Sequence, residues 1–174
     1  MFKNKRRVAR SFGLLAVLAL FAALLPSGAA QAQAAPLEST MLADEPHYIV
    51  NANGLHLAAS DSGSLILTLF EGNPRFLTVP DNGYVTYQSA TGPNVGTVGN
   101  GTAHGTRVDL VARSGSHTQD WSTRPVGSGS RFFGIVNRAS GRCLGISGGS
   151  SGTTLAIFDC DRRPNQQWAT MPAS

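Results

Sequence analysis

The fold is decided by residues 133–168, which read FGIVNRASGRCLGISGGSSGTTLAIFDCDRRPNQQW. Short runs rich in Val, Ile, Leu, Thr and Phe alternate here with clusters of Gly, Ser, Asn and Asp, a pattern that predicts strands separated by tight turns. We predict strands at 133–136, 142–146 and 153–158 and turns at 137–141 and 147–152. The stretch closes on Gln166-Gln167-Trp168, which completes a unit of about four strands.

A second copy of this plan lies upstream and closes on Gln119-Asp120-Trp121. Its third strand is predicted at 106–111, after a turn at 98–102, and Val95 takes the position of Leu144. In both copies the closing Trp follows ten residues after the end of the third strand. These matched intervals indicate an internal repeat.

A third, degraded copy comes first along the chain. Leu57 matches Leu144, a strand is predicted at 65–70, and the unit closes on Asn73-Pro74-Arg75-Phe76, with Phe76 in the Trp position. A four-stranded unit of about 45 residues cannot bury its apolar face alone, so three of them must share one core. The sequence therefore predicts an all-β fold, a β-trefoil with pseudo-threefold symmetry, in which Phe76, Trp121 and Trp168 are core residues.

The N-terminus predicts export. Five of the fourteen cationic residues lie in the first ten positions, ahead of a fourteen-residue apolar run at 12–25. This run is too short to cross a hydrocarbon core of about 30 Å as a helix, and the small residues that follow it suit signal peptidase. We predict a signal peptide at 1–34, with cleavage after Ala32 as second choice, a leader or tether at 35–46 and one domain at 47–174.

The charge of the exported chain excludes two classes of partner. Removing residues 1–34 leaves nine Arg, no Lys and ten acidic residues, a formal charge of −1. Nucleic acids and anionic membranes are both bound through clustered cations, which this composition lacks. We therefore expect neither nucleic-acid binding nor membrane insertion after the signal peptide is removed.

Both cysteines, Cys143 and Cys160, lie in the exported part. Exported proteins can keep a disulfide, so we expect one bridge between them. The alternative, a metal site with two thiolates, would need further Cys or His residues at ligand spacing. His47, His56, His104 and His117 show no such spacing, and we expect neither a metal nor another cofactor.

The two Gln-x-Trp closings, with Gly141-Arg142-Cys143-Leu144 and Phe158-Asp159-Cys160, resemble a ricin B-type β-trefoil lectin domain of the secreted bacterial kind over residues 47–172. The resemblance implies a non-catalytic, carbohydrate-binding module, often specific for galactose or related sugars. It also implies a disulfide across the hairpin at the position of Cys143 and Cys160.

In that family each sugar site combines an Asp, an aromatic ring and an Asn. A carboxylate accepts hydrogen bonds from sugar hydroxyls, the ring covers the C–H face, and the amide donates and accepts. The corresponding residues here are Ala58, Phe70 and Asn73 in the first repeat, Gly96, Val111 and Thr118 in the second, and Gly145, Phe158 and Asn165 in the third. No repeat has all three, so we do not expect the usual galactose mode.

We place a glycan site on the third repeat, with Phe158 as platform, Asn165 as hydrogen-bonding partner and Gln166 supporting the loop. Asp159 or Asp161 could supply the missing carboxylate from another direction. The plainer interpretation is that Phe158 packs beside the disulfide and that Asn165 bonds its own loop. Phe70 and Asn73 form a second, partial site on the first repeat.

Two other functions compete with a secreted lectin. The fold could have lost its sugar sites and bind a protein partner, for example as an inhibitor. A small hydrolase is the other alternative, because 145–149 match G-x-S-x-G, but that motif needs a strand, a sharp turn and a helix. Ser147 instead opens a Gly/Ser-rich turn before another strand, so we do not expect an enzyme.

Overall fold

The computed structural model describes residues 45–60, 62–69, 75–147, 151 and 153–173. Regular structure in this part of the chain consists of twelve strands and three short 3₁₀ helices. The strands are β1 His47–Asn51, β2 His56–Ala59, β3 Leu65–Thr68, β4 Phe76–Asp81, β5 Tyr84–Ser89, β6 Asn94–Thr97, β7 Arg107–Val111, β8 Trp121–Pro125, β9 Phe133–Asn137, β10 Cys143–Ile146, β11 Leu155–Phe158 and β12 Trp168–Pro172. The 3₁₀ helices are Val98–Asn100, His117–Gln119 and Pro164–Gln166.

The predicted all-β class and the four strands per unit are confirmed, with small differences at strand ends. The strand predicted at 65–70 ends at Thr68, because its partner β2 begins opposite that residue, at His56. The predicted signal peptide at 1–34 and nearly all of the predicted tether lie outside the described residues. Within the described residues, no helix has the length and apolar character needed to cross a bilayer.

The first and fourth strands of the three units form a closed barrel. β1 pairs with β12 and β4, β5 pairs with β4 and β8, and β9 pairs with β8 and β12, all antiparallel. The second and third strands form the hairpins β2–β3, β6–β7 and β10–β11. Pairing of β7 with β11 joins two of these hairpins. The six-stranded ring leaves no unpaired edge, and the fold is the predicted β-trefoil.

The turn that follows each first strand repeats the same backbone bonds. The amide that follows the strand donates to the carbonyl just before a closing aromatic residue: Ala52 to Gln167, Ala90 to Arg75 and Arg138 to Asp120. Each of these turns contains a glycine with positive φ, at Gly54, Gly92 and Gly141. Glycine adopts this left-handed backbone at a lower cost than any residue with a Cβ atom. The threefold pattern is therefore built into the backbone as well as the side chains.

The predicted core residues Phe76, Trp121 and Trp168 are fully buried in one cluster. Each indole also has a backbone partner: Trp121 Nε1 donates to Val95 O at 2.9 Å and Trp168 Nε1 to Leu144 O at 3.0 Å. The two acceptor residues, Val95 and Leu144, are the pair that the sequence repeat places at equivalent positions. Both indoles thus bury a large ring without leaving their N–H group unpaired.

Candidate functional site

The predicted site residues of the third repeat lie between the β10–β11 hairpin and the 3₁₀ helix Pro164–Gln166. A disulfide joins Cys143, the first residue of β10, to Cys160, two residues beyond β11, with the Cα atoms 5.1 Å apart. The predicted bridge is thus confirmed, and neither sulfur is free to bind a metal. The bridge fixes the segment that leads from β11 into the 3₁₀ helix.

Gln166 is a buried residue whose amide serves the loop. Its Nε2 donates to Asp159 O at 3.0 Å, and its Oε1 accepts from the Asp161 amide at 3.0 Å. Gln119 has the same role in the second repeat, where its Nε2 donates to Ala112 O at 2.7 Å. Because both polar atoms of Gln166 are used, its side chain holds the loop in place, the supporting role that we predicted for it.

Asn165 is half-buried and connects the 3₁₀ helix to the hairpin. Its Nδ2 donates to Ile146 O, at the end of β10, at 2.8 Å. The bond therefore crosses to another element, whereas the plainer interpretation placed it within the residue's own loop. Asn165 Oδ1 has no protein partner among the described residues and is available as an acceptor.

Phe158 lies over Gly145, the residue at the position of the family's Asp. A Cβ atom on residue 145 would be 3.0 Å from Phe158 Cδ2, 2.9 Å from Gln166 Cγ and 3.3 Å from Asn165 O. Such distances are shorter than normal carbon contacts. The space that a carboxylate would need is therefore filled by the other site residues.

The second repeat is closed in the same way. A Cβ atom on Gly96 would be 2.7 Å from Val111 Cγ2, 2.8 Å from Gln119 Cγ and 3.5 Å from Thr118 O. These are the residues that correspond to Phe158, Gln166 and Asn165. The sequence shows that the Asp is missing from both repeats. It does not show that neighbouring side chains fill the space where the Asp side chain would lie.

In the first repeat, Ala58 is buried in β2 opposite Ile66 on β3. The other two predicted site residues of this repeat, Phe70 and Asn73, lie outside the described residues. The first repeat therefore contributes no described site geometry.

Asp159, the residue that follows Phe158, has an exposed carboxylate that shares a neighbour, His104, with the Phe158 ring. The Asp159 side chain is 74% exposed, and its oxygens lie 3.3 Å from His104 Nδ1 and 3.0 Å from Arg142 Nε. The His104 ring packs edge-on against Phe158, with the centroids 5.3 Å apart. We call Phe158, His104, Asp159 and Arg142 the rim cluster. It joins the second and third repeats.

Sequence reasoning missed His104 and Arg142, because His104 belongs to the second repeat and no motif links it to Phe158. Asp161, the other acid that we considered, is 3.3 Å from Arg163 Nε, and its carboxylate also accepts the Arg163 amide. It is therefore occupied by its own loop. Of the two acids, Asp159 is the one that shares His104 with the Phe158 ring.

The G-x-S-x-G match does not form a nucleophile elbow in the part that the structure describes. Ser147 is an exposed residue directly after β10, and the next described element is the strand β11. Gly148 and Gly149 lie outside the described residues. The described residues also contain no cluster of three His, Cys, Asp or Glu side chains that could hold a metal ion.

The chain matches the family model for ricin-type β-trefoil lectin domain-like sequences at residues 73–158 and 117–174, which together cover more than half of its length. No curated protein matches the chain.

Solved structures share the fold. A designed threefold-symmetric protein, ThreeFoil, superimposes with a TM-score of 0.67 at 20% identity, covering 73% of this chain and 98% of the designed one. The ricin B-like lectin of Macrolepiota procera, solved with lactose, gives 0.64 at 19% identity, with 74% and 96% covered. An exo-β-1,3-galactanase from Clostridium thermocellum gives 0.67 at 16% identity, but the match covers 75% of this chain and only 31% of the enzyme.

Proposed function

The chain belongs to the ricin-type β-trefoil lectin domain-like family, and we propose that it is a secreted, non-catalytic module that binds a glycan through the rim of its third repeat. The observation that carries this proposal is the rim cluster. There His104 contacts both the half-buried Phe158 ring and the exposed Asp159 carboxylate. A ring and an adjacent acceptor are the two components that sugar recognition needs.

The mode of binding differs from that of the family, because the space at Gly145 is closed. We infer that a sugar lies over the outer edge of the ring, where Asp159 accepts hydrogen bonds from its hydroxyls. The free Oδ1 of Asn165 supplies a further acceptor. Galactose-containing glycans are the first candidates, since the Macrolepiota procera lectin was solved with lactose. Because the family's Asp is missing, we expect a single site to bind its sugar weakly.

Secretion is part of the proposal and rests on the N-terminal sequence. The basic start, the short apolar run and the small residues before Ala34 support it. Detection of the protein in the culture medium, with an N-terminus after Ala34 or Ala32, would test this part.

A glycan array, followed by titration calorimetry with the best glycan, tests the site. We expect Phe158→Ala and Asp159→Asn to weaken binding at least tenfold and Asn165→Ala to weaken it several-fold. Phe132→Ala is the matched control, because Phe132 is a half-buried aromatic residue outside the rim cluster, and it should leave affinity unchanged. Undiminished binding in the Phe158 and Asp159 variants would refute the site.

One observation favours a second function. The Asp positions of both the second and third repeats are packed by their own side chains, which is what a trefoil that no longer binds sugar would tolerate. Such a module would bind a protein partner, for example as an inhibitor. A partner that is retained in the presence of excess free sugar, together with an empty glycan array, would favour this alternative. Turnover of model glycosides or esters would instead indicate an enzyme.

A further inference from the structure

A cleft of about 160 Å³ lies beside the disulfide, apart from the rim cluster. Its lining includes Arg124 and Pro125 from β8, Cys143 and Cys160, Arg162, and Gln166. The volume corresponds to about five water molecules, well below the 300–1,000 Å³ of pockets for drug-sized ligands. It suits one small chemical group.

The cleft has an unbalanced positive charge. Within the described residues, neither the Arg124 nor the Arg162 guanidinium has an ion pair, whereas the neighbouring Arg163 pairs with Asp161. Asp159, the other nearby acid, pairs with His104 and Arg142. Among the described residues that line the cleft, none is acidic. Both arginines line this one small cleft, and guanidinium groups without an ion pair attract an anion.

The backbone conformation of Arg162 is a second indication of a binding site. This residue has φ of 60°, in the left-handed region that glycine or asparagine adopts more easily. Its carbonyl accepts from Gln167 Nε2 at 2.7 Å, a bond that helps to hold this conformation. An arginine in a conformation that costs it stability indicates a use for the side chain.

The floor of the cleft is kept open by Gly134. A Cβ atom there would have ordinary contacts, at 3.7 Å from Arg124 O, 3.9 Å from Cys143 Sγ and 4.0 Å from Gln166 O. All three of those atoms belong to residues that line the cleft. A methyl group at 134 would therefore fit without a clash and would occupy space that a ligand could use.

We propose that this cleft binds the carboxylate of an acidic saccharide. Arg124 and Arg162 hold the carboxylate, and the sugar ring rests against Pro125 and the disulfide. The saccharide part rests on the proposed function, whereas the binding of a carboxylate does not. The rim cluster and the cleft consist of different residues. Gln166 is connected with both, because it holds the loop next to the rim cluster and also lines the cleft.

Titration with trigalacturonate, followed by amide NMR shifts and calorimetry, tests the proposal, with fully methyl-esterified trigalacturonate as the neutral ligand of the same shape. We expect the acid to bind at least tenfold more tightly than the ester, with shifts centred on Gly134 and Cys143 and with affinity falling as salt rises. Arg124→Gln, Arg162→Gly and Gly134→Ala should each weaken binding about tenfold. Arg163→Gln, one residue away and outside the cleft lining, should change it less than twofold.

The Arg162→Gly variant separates binding from folding, because glycine suits the backbone at 162. Its melting temperature should stay the same or rise while binding is lost. Equal binding of acid and ester, shifts elsewhere in the protein, or equal loss in Arg163→Gln would each overturn the proposal. Binding of triglutamate as tight as that of trigalacturonate would overturn the saccharide assignment. Loss of binding in the Phe158 and Asp159 variants but not in the arginine variants would refute this site and leave the rim site intact.

Discussion

The Phe158 ring covers Gly145 so closely that a Cβ atom on residue 145 would lie 3.0 Å from Phe158 Cδ2. The residue that the family uses to cover a sugar here also packs against the backbone of its own hairpin. The position of Phe158 therefore depends on the glycine, because the ring can pack here only while residue 145 has no side chain.

Restoring the family's acid should consequently fail. We expect Gly145→Asp to lower the free energy of unfolding by about 1–3 kcal/mol, the usual cost of overpacking, without raising the affinity for lactose above that of the wild-type protein. Urea denaturation and lactose titration measure the two effects. Gly145→Ala should show most of the same loss, whereas Gly134→Ala, where a Cβ has ordinary contacts, should be nearly neutral. A stable Gly145→Asp variant that binds lactose more tightly than the wild-type protein would contradict the packing argument.

The indole hydrogen bonds predict equal roles for the two tryptophans. Trp121→Phe and Trp168→Phe each leave a buried carbonyl, Val95 O or Leu144 O, without its donor. An unpaired buried group costs about 1–3 kcal/mol, to which the smaller ring adds a packing loss. Because the two bonds have nearly the same length, the losses in urea denaturation should agree within about 1 kcal/mol. A large loss at one site and none at the other would mean that the repeats are not energetically equivalent.

The disulfide closes a loop with a sequence separation of 17. Loop-closure entropy then predicts that Cys143→Ser with Cys160→Ser lowers the free energy of unfolding by about 3 kcal/mol. Urea denaturation of this double variant measures the loss, and the reduced wild-type protein should show a similar one. Unchanged stability in both would indicate that the unfolded chain is already constrained in this region.

Acid should destabilise the protein through His47, at the start of β1. Burial lowers the pKa of this imidazole below its ordinary value of about 6.5. The unfolded chain then binds the proton more tightly, so the free energy of unfolding falls as the pH drops from about 6.5 through the folded-state pKa, and this group has no effect above that range. Denaturation between pH 4 and 8 should show a smaller slope in His47→Gln. An unchanged slope in His47→Gln would contradict the assignment.

Much of the fold could be predicted from spacing alone. The closing residues Phe76, Trp121 and Trp168 recur at the interval that three shared-core units require, and their burial follows because no single unit has a core of its own. The disulfide could be predicted because the chain has only two cysteines. The strand ends were less certain, since they depend on where the partner strand begins, as at Thr68.

The sequence by itself determined the class of fold, the threefold repeat and the absence of the family's complete sugar triad, because each of these is a matter of residue type at a regular interval. Only the tertiary structure decided what occupies the vacated positions. Phe158, Gln166 and Gly145 come from separate segments that meet through strand pairing and the disulfide, and His104 arrives from another repeat. The same holds for the cleft, since Arg124 and Arg162 are 38 residues apart and line it together only because the chain has folded. Periodicity fixes which residues face inward, whereas contacts between distant segments are set by packing.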